Sequence, residues 1–123
     1  MQPTRINDRL SVSAQPDLAA FATFAVQGYS AIINVRQDGE EPDQPGNVAE
    51  QAAAADGGLS YSFVPITGAA GITEADIEAF QAAAGRGTGP VLAHCKSGTR
   101  ALLLYCLGEV RDGRMRRDEI EAF

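Results

Sequence analysis

The stretch HCKSGTR, residues 94–100, places a nucleophile among groups that bind anions. Cys95 stands between the apolar runs PVLA and ALLLYCL, so we predict that it joins the end of a strand to the start of a helix. The first turn of a helix offers unpaired N–H groups and a partial positive charge. Cysteines in such a setting act as thiolate nucleophiles, so Cys95 is predicted to attack a bound anion.

The residues that follow Cys95 have the composition of an anion-binding loop. Gly98 allows the backbone to curl so that successive N–H groups point inward. Arg100 is predicted on the first helical turn, where its guanidinium can clamp two oxygens with parallel hydrogen bonds. The residues predicted to surround the anion are Lys96, Ser97, Gly98, Thr99 and Arg100. The alternative is that Cys95 is a small buried apolar residue and Arg100 a surface residue, which leaves this clustering unexplained.

Three further residues are candidates for supporting roles. His94 is expected to hydrogen-bond to the backbone and to shape the loop, with a direct catalytic role as the alternative. Arg36 ends another apolar run and is a candidate to line the same crevice, the alternative being a solvated loop residue. Cys106 is predicted to pack in the core, with a resolving or regulatory thiol as the alternative. A metal site is not predicted, since one histidine and two separated cysteines give no ligand cluster.

Strand patterns and helix patterns alternate along the chain. The predicted strands are 9–14, 30–36, 59–66 and 90–95, and the predicted helices are 16–28, 48–58, 72–85, 99–110 and one that begins at 116. Such alternation predicts an α/β fold: a single three-layer domain with a mostly parallel, four- to five-stranded sheet flanked by helices. Ligands bind outside the carboxyl ends of the strands in such sheets, which is where Cys95 is predicted.

Local signals refine three of these helices. Leu18, Phe21, Phe24 and Ala25 share one face of the first predicted helix and are expected to be buried. Thr73 is the predicted N-cap of the third, with Asp76 completing a capping box. The fourth is apolar almost all round and is therefore expected to be deeply buried.

Composition sets the broader class of protein. A chain of 123 residues predicts one domain, 1–123, and because it ends inside a predicted helix we expect the natural protein to continue. We predict a cytoplasmic location, since there is neither a long apolar stretch nor an apolar signal segment. The two cysteines are expected to be thiols. A net charge of −6 argues against a nucleic-acid surface. The basic run 111–117 is interpreted as solvated charge, with a membrane or RNA patch as the alternative, so neither nucleic acid nor a membrane is predicted as a partner.

The segments RLSVSAQPD, GYSAIINVRQDGEEPDQP, FVPIT and HCKSGTRA, in this order, resemble the phosphatase-like domain of the beta-lactamase-hydrolase-like proteins. This bacterial family has a fold like that of dual-specificity phosphatases, so the resemblance implies a cysteine-phosphatase-like fold. It also implies that Cys95 is the nucleophile and Arg100 the anion clamp, with backbone amides from Lys96 to Thr99. His94 takes the place of the histidine that precedes the cysteine in tyrosine phosphatases.

The loop departs from tyrosine phosphatases in two respects. Four residues separate Cys95 from Arg100, one fewer than in those enzymes and as many as in single-domain rhodaneses. A smaller ring suits a single sulfur atom on the cysteine better than a phosphoryl group. Ala101 stands where phosphatases usually carry the serine or threonine that stabilises the thiolate, and Thr99 is the available substitute.

A general acid is missing from its usual place. Phosphatases of this type protonate the leaving group with an aspartate from a mobile loop before the cysteine, but here that segment, VPITGAAGIT at 64–73, contains no Asp, Glu or His. Asp76 and Glu74 fit the first turn of a helix better. Asp38, Glu40 and Glu41 could reach the site only if their loop folds over it.

These features leave three functional hypotheses open. The main prediction is a rhodanese-like sulfurtransferase, in which Cys95 takes sulfur from thiosulfate or a persulfide and passes it to a thiol such as glutathione. The first alternative is a phosphatase that forms a phosphocysteine at Cys95, and the second is an inactive anion-binding module. No cofactor is predicted, and the family resemblance implies a persulfide dioxygenase as a partner in some cases.

Overall fold

In the computed structural model, which describes residues 3–68, 71–86 and 89–122, five short strands form one sheet. The strands are β1 Thr4–Arg5, β2 Leu10–Ser13, β3 Ala31–Asn34, β4 Ser60–Phe63 and β5 Val91–His94. The α-helices are α1 Ala20–Val26, α2 Asn47–Asp56, α3 Glu74–Ala84 and α4 Thr99–Arg111, followed by a 3-10 helix at Arg117–Ala122. The predicted α/β fold with a mostly parallel sheet is confirmed.

The order of the strands brings three carboxyl ends together. The sheet runs β1-β2-β5-β3-β4, with β1 antiparallel to β2 and the other neighbours parallel. In this register His94 at the end of β5 lies opposite Ser13 of β2 on one side and Asn34 of β3 on the other. The segments that leave these three strands therefore start from one edge of the sheet, which is where ligands bind in parallel sheets.

Alternating residues of the central strands supply two cores. Ile32 and Leu92 pack on one face of the sheet with Phe21 and Phe24 of α1 and with Ala54 of α2. The other face buries a second cluster, which includes Ile33, Val91, Ala93, Ile77 and Phe80 of α3, and Leu104 of α4. Because side chains point alternately to opposite faces of a strand, both faces are apolar and both are covered. The result is the three-layer arrangement predicted from the sequence.

Two predictions about helix faces are confirmed only in part: Phe21 and Phe24 are buried as predicted, but Leu18 and one side of the fourth helix are not. The first helix begins at Ala20, after a turn in which Ala20 and Phe21 donate to the carbonyls of Asp17 and Leu18. Leu18 therefore lies outside the helix and is 37% exposed. The fourth helix covers only one face of the sheet, so its other side stays partly exposed. Its buried residues are Ala101, Leu104, Cys106 and Gly108.

Three polar segments remain to be compared with the predictions from the sequence. The two-residue strand β1 was not predicted, because its residues, Thr4 and Arg5, are polar and exposed. The predicted capping box is confirmed: the Thr73 hydroxyl accepts from the N–H of Asp76, and the Asp76 carboxylate accepts from the N–H of Thr73. In the basic run, Arg111 pairs with Glu74 of α3 at 2.9 Å.

None of the helices in the described part of the chain has both the length and the apolar character needed to cross a membrane.

Candidate active site

Cys95 follows β5 directly and lies at the bottom of a tight turn. Its side chain is buried, and Sγ accepts a hydrogen bond from the backbone N–H of Gly98 at 3.0 Å. Gly98 is the N-cap of α4 and has a φ of 97°, a left-handed conformation that favours glycine. A Cβ at this position would also lie 3.4 Å from the backbone carbon of Ser13. The turn thus directs an N–H at the start of a helix toward the sulfur, as the loop sequence predicted.

The hydroxyl groups of the loop bind each other. Ser97 Oγ donates to Thr99 Oγ1 at 3.1 Å, and both residues are exposed. Thr99 was considered as the substitute for the missing hydroxyl after the arginine. In the structure its hydroxyl accepts from Ser97. Lys96 is exposed at the rim, with Nζ 3.6 Å from Glu41 Oε1.

Arg100 is held by a loop that comes from a different part of the sheet. Its Nη1 and Nη2 donate to the two carboxylate oxygens of Glu40 at 2.6 and 2.7 Å, and Nη1 also donates to the carbonyl of Ile66 at 2.8 Å. The pKa of Arg100 is raised, chiefly by the hydrogen bond to Glu40 and to a smaller extent by the charge of Cys95. The sequence indicated that Glu40 could reach the site only if its loop folds over it, and in the structure the loop does so.

The Glu40 carboxylate accepts from two guanidinium groups and one backbone amide. Besides Arg100, its partners are Arg36 Nε at 3.0 Å and the N–H of Gln37 at 2.9 Å. Arg100 is the main reason why the pKa of Glu40 is lowered to about 2, and Gln37 and Arg36 act in the same direction against the effect of burial. Glu40 is consequently an ionised carboxylate at neutral pH.

Arg36 is buried beneath this loop, with a side chain that is only 2% exposed. Its guanidinium donates to Glu40, to Glu41 Oε1 at 3.0 Å and to Gln15 Oε1 at 3.0 Å. The alternative of a solvated loop arginine is therefore wrong. Three acceptors compensate for burial of the charge, and Arg36 lies at the same edge of the sheet as Cys95.

His94 forms a buried pair with a residue that the sequence did not single out. Its Nε2 lies 2.6 Å from Glu50 Oε1, and both side chains are fully buried. Its Nδ1 lies 3.3 Å from the carbonyl oxygen of Cys95, which is the backbone contact that was predicted. Gln15 Nε2 donates to the second oxygen of Glu50 at 3.1 Å. The available signal was weak: Glu50 and Gln51 are the polar residues that interrupt an apolar, alanine-rich helix.

The other acids proposed as proton donors hold structural contacts. Asp38 Oδ1 accepts from the N–H of Asn47, at the start of α2, at 2.7 Å. Asp76 belongs to the capping box of α3, and Glu41 pairs with Arg36. Of the acid-free segment 64–73, residues 69 and 70 lie outside the described residues.

Cys106 lies on the buried side of α4, as predicted. Burial raises the pKa of its thiol, with a smaller contribution from the charge of Glu109. Such a thiol is a poor nucleophile at neutral pH.

A groove of about 320 Å³ opens beside the rim of the loop. Lys96 lies on one side of it, and Gln15, Arg36, Glu41 and Asp43 are among the residues that line it. Its lining is mainly polar, and it reaches the solvent next to the anion loop.

The sheet order, the covering helices and the loop between β5 and α4 define a cysteine-phosphatase-like fold. Residues 4–112 match the family described as the phosphatase-like domain of beta-lactamase hydrolase-like protein. The chain belongs to this family, as its segments and their order predicted.

Three relatives illustrate the similarity. A beta-lactamase hydrolase-like protein of Xylella fastidiosa strain Temecula1 is 62% identical over 99% of this chain, and the chain spans 28% of that protein. A candidate phosphatase from Neisseria meningitidis Z2491 has a TM-score of 0.83 and 32% identity, over 94% of this chain and 81% of that one. Pseudomonas aeruginosa TpbA, solved with phosphotyrosine, has a TM-score of 0.70 and 19% identity, over 97% and 68% of the two chains.

The family confirms the prediction of an enzyme and favours the phosphatase over the sulfurtransferase, which was the main prediction. Sulfur transfer, a thiol acceptor and a dioxygenase partner receive no support from these relatives.

Proposed function

We propose that this chain is a cysteine-dependent phosphatase that cleaves small phosphate monoesters with good leaving groups, such as aryl phosphates. The observation that carries the proposal is the hydrogen bond from the Gly98 N–H to Cys95 Sγ at 3.0 Å, at the N-terminus of α4. The charge of Cys95 is also among the smaller causes that raise the pKa of Arg100, which agrees with a guanidinium close to the sulfur. Family membership and the phosphotyrosine bound by TpbA support the same class of substrate.

The reaction proceeds in two displacements. In the first, the Cys95 thiolate attacks phosphorus, an S–P bond forms, and the P–O bond to the leaving group breaks with its electron pair on the departing oxygen. In the second, water attacks phosphorus, the S–P bond breaks, phosphate leaves with the proton of the water, and the thiolate returns. Loop N–H groups and Arg100 stabilise the charge on the phosphoryl oxygens in both steps.

The acids around the site restrict the leaving group. Glu40 is ionised, with a pKa of about 2, so it has no proton to give at neutral pH. Asp38 and Asp76 are engaged at the starts of helices α2 and α3. Since general acid catalysis is worth roughly 10²–10⁴-fold, esters of alcohols are expected to react far more slowly than esters of acidic phenols.

Sulfur transfer is the second candidate, and the same engaged acids favour it because this reaction requires no proton donor. Cys95 would attack the outer sulfur of thiosulfate, forming an S–S bond while the bond to sulfite breaks and sulfite leaves. A thiol such as glutathione would then remove the sulfur. The four-residue spacing between Cys95 and Arg100 also suits this smaller group.

A paired assay on one preparation distinguishes the two candidates. One arm measures phosphate released from para-nitrophenyl phosphate and a phosphotyrosine peptide, and the other measures sulfur gained by the protein, by intact mass, after thiosulfate or glutathione persulfide. We expect phosphate release that Cys95→Ser abolishes and that the matched variant Cys106→Ala retains. Arg100→Lys keeps the charge but loses the paired fork, so turnover should fall by about 100-fold.

Gain of one sulfur atom on Cys95 together with negligible phosphate release would replace the phosphatase by the sulfurtransferase. If neither arm shows a reaction, the remaining hypothesis is the inactive anion-binding module. An effect of Arg100→Lys below about threefold would remove Arg100 from the mechanism.

A further inference from the structure

The loop after β3 places the Glu40 carboxylate against the end of the Arg100 side chain. Four N–H groups meet its two oxygens, all at 3.0 Å or less: two from Arg100, one from Arg36 and the backbone N–H of Gln37. A carboxylate has about four positions at which it accepts hydrogen bonds, so these partners satisfy it completely. Glu40 is therefore fixed by Arg36 and Gln37 of its own loop on one side and by Arg100 of α4 on the other.

The contacts to Glu40 and Ile66 use three of the five N–H groups of the Arg100 guanidinium. Glu40 takes the N–H pair at the end of the group, one from Nη1 and one from Nη2, and the carbonyl of Ile66 takes the other N–H of Nη1. A guanidinium has five N–H groups, so two remain, on Nε and Nη2. These two are parallel and form the second fork, which matches two oxygens of an anion.

We propose that Glu40 is a positioning residue for Arg100, holding the end fork of its guanidinium so that the Nε edge stays aimed at the anion bound to Cys95. The proposal rests on the proposed role of Arg100 as anion clamp, but it does not depend on whether phosphorus or sulfur is transferred. An arginine held in this way loses less rotamer entropy when the anion binds.

The competing interpretation is that Glu40 mimics the substrate and blocks the clamp. The hydrogen bonds favour positioning, because Glu40 binds the Nη1–Nη2 end of the guanidinium, and the Nε–Nη2 pair remains for the anion. The two interpretations make opposite predictions for a variant without the carboxylate: loss of positioning weakens anion recognition, whereas removal of a competing negative charge strengthens it.

Alkylation of Cys95 separates them without requiring turnover. Iodoacetate and iodoacetamide both transfer a carbon to the thiolate and release iodide, but only iodoacetate is an anion. The ratio of their rate constants, measured by intact mass in a Cys106→Ala background, reports anion recognition with thiol reactivity divided out. We expect Glu40→Gln to lower this ratio by about fivefold, the effect of weakening one charge-assisted contact.

Two comparisons make the result specific. Asp43→Asn removes an equal charge from the same loop and should leave the ratio unchanged or slightly higher. In an Arg100→Lys background, Glu40→Gln should have little further effect, because Glu40 acts through the guanidinium. Glu40→Asp restores the charge on a shorter side chain and should recover part of the ratio, and thermal unfolding identifies any variant that does not fold.

The outcomes separate this proposal from the proposed function. A wild-type ratio that Arg100→Lys lowers, but that Glu40→Gln leaves unchanged or raises, overturns the positioning role and leaves the anion clamp intact. A wild-type ratio near one that no variant changes overturns the clamp itself. Should Glu40→Gln fail to fold, the ratio for Glu40→Asp decides, and a value equal to or above wild type overturns the proposal.

Discussion

The buried pair of His94 and Glu50 shows how single residues hold the reactive loop. A carboxylate without access to water must find hydrogen-bond donors, and here the His94 ring at 2.6 Å and the Gln15 amide at 3.1 Å supply them. The other ring nitrogen faces the carbonyl oxygen of Cys95. Glu50 thereby connects α2 to the strand that carries the nucleophile.

At this scale we predict that Glu50→Ala lowers the free energy of unfolding by about 3 kcal/mol, because it leaves the imidazole without its partner in a buried site. Glu50→Gln keeps an acceptor for the ring N–H and should cost about 1 kcal/mol. Urea unfolding of the three proteins measures both values. Equal stability of Glu50→Ala and wild type would mean that the pair contributes nothing to the fold.

The loop between β3 and α2 is attached to the site by ion pairs. Within the loop, Glu40 and Glu41 accept from the buried Arg36, which also donates to Gln15 outside the loop. Asp38 accepts from the N–H of Asn47 at the start of α2. Glu40 then extends the contact to Arg100 on α4. The loop thus depends on ionised carboxylates for its position, so its attachment should depend on pH.

For this element we predict a specific loss of stability in acid. The pKa of Glu40 is about 2 in the folded protein against an ordinary 4.5, so between these values the unfolded chain binds more protons on this group. Stability due to Glu40 is present above pH 4.5 and is lost as the pH falls toward 2. Urea unfolding from pH 5 to 3 should therefore show a shallower decline for Glu40→Gln than for wild type.

Asp43→Asn serves as the control for that series, since it removes a carboxylate from the same loop. Asp43 lines the polar groove. A slope for Glu40→Gln that coincides with wild type would contradict the proposed origin of the acid sensitivity.

On the scale of the whole molecule, the site depends on a strand in the middle of the sheet. Strand β5 pairs with β2 on one side and β3 on the other along all four of its residues. Its side chains pack into both cores, and Cys95 follows it at the common carboxyl edge of the sheet. Stability and site geometry are therefore linked through β5.

We predict that Leu92→Ala, at a fully buried position of β5, lowers the free energy of unfolding by about 3 kcal/mol. The matched surface variant Val48→Ala, at a side chain that is 79% exposed, should stay within about 0.5 kcal/mol. Urea unfolding tests both, and Cys95 alkylation below the transition should be unchanged because Leu92 faces α1 and α2. A cost below about 1 kcal/mol would show that this core is not close-packed.

Short-range features of the chain were predictable from the sequence. Apolar runs predicted the strands β2 to β5, and the capping box of Thr73 and Asp76 predicted the start of α3, because each depends on residues near one another in the chain. Cys95, Gly98 and Arg100 were found in the same way, since their turn is continuous in sequence. The order of four segments along the chain also indicated the family to which it belongs.

The contacts that complete the site were decided only by the tertiary structure. Glu40 and Arg100 are 60 positions apart, and Glu50 and His94 are 44 apart. Which distant groups meet depends on the order and register of β2, β5 and β3, and on loops whose ends are brought to one edge of the sheet. The burial of Arg36 depends partly on such a contact, because a buried charge requires acceptors. Glu40 and Glu41 are its neighbours in the loop, but Gln15 comes from a distant part of the chain.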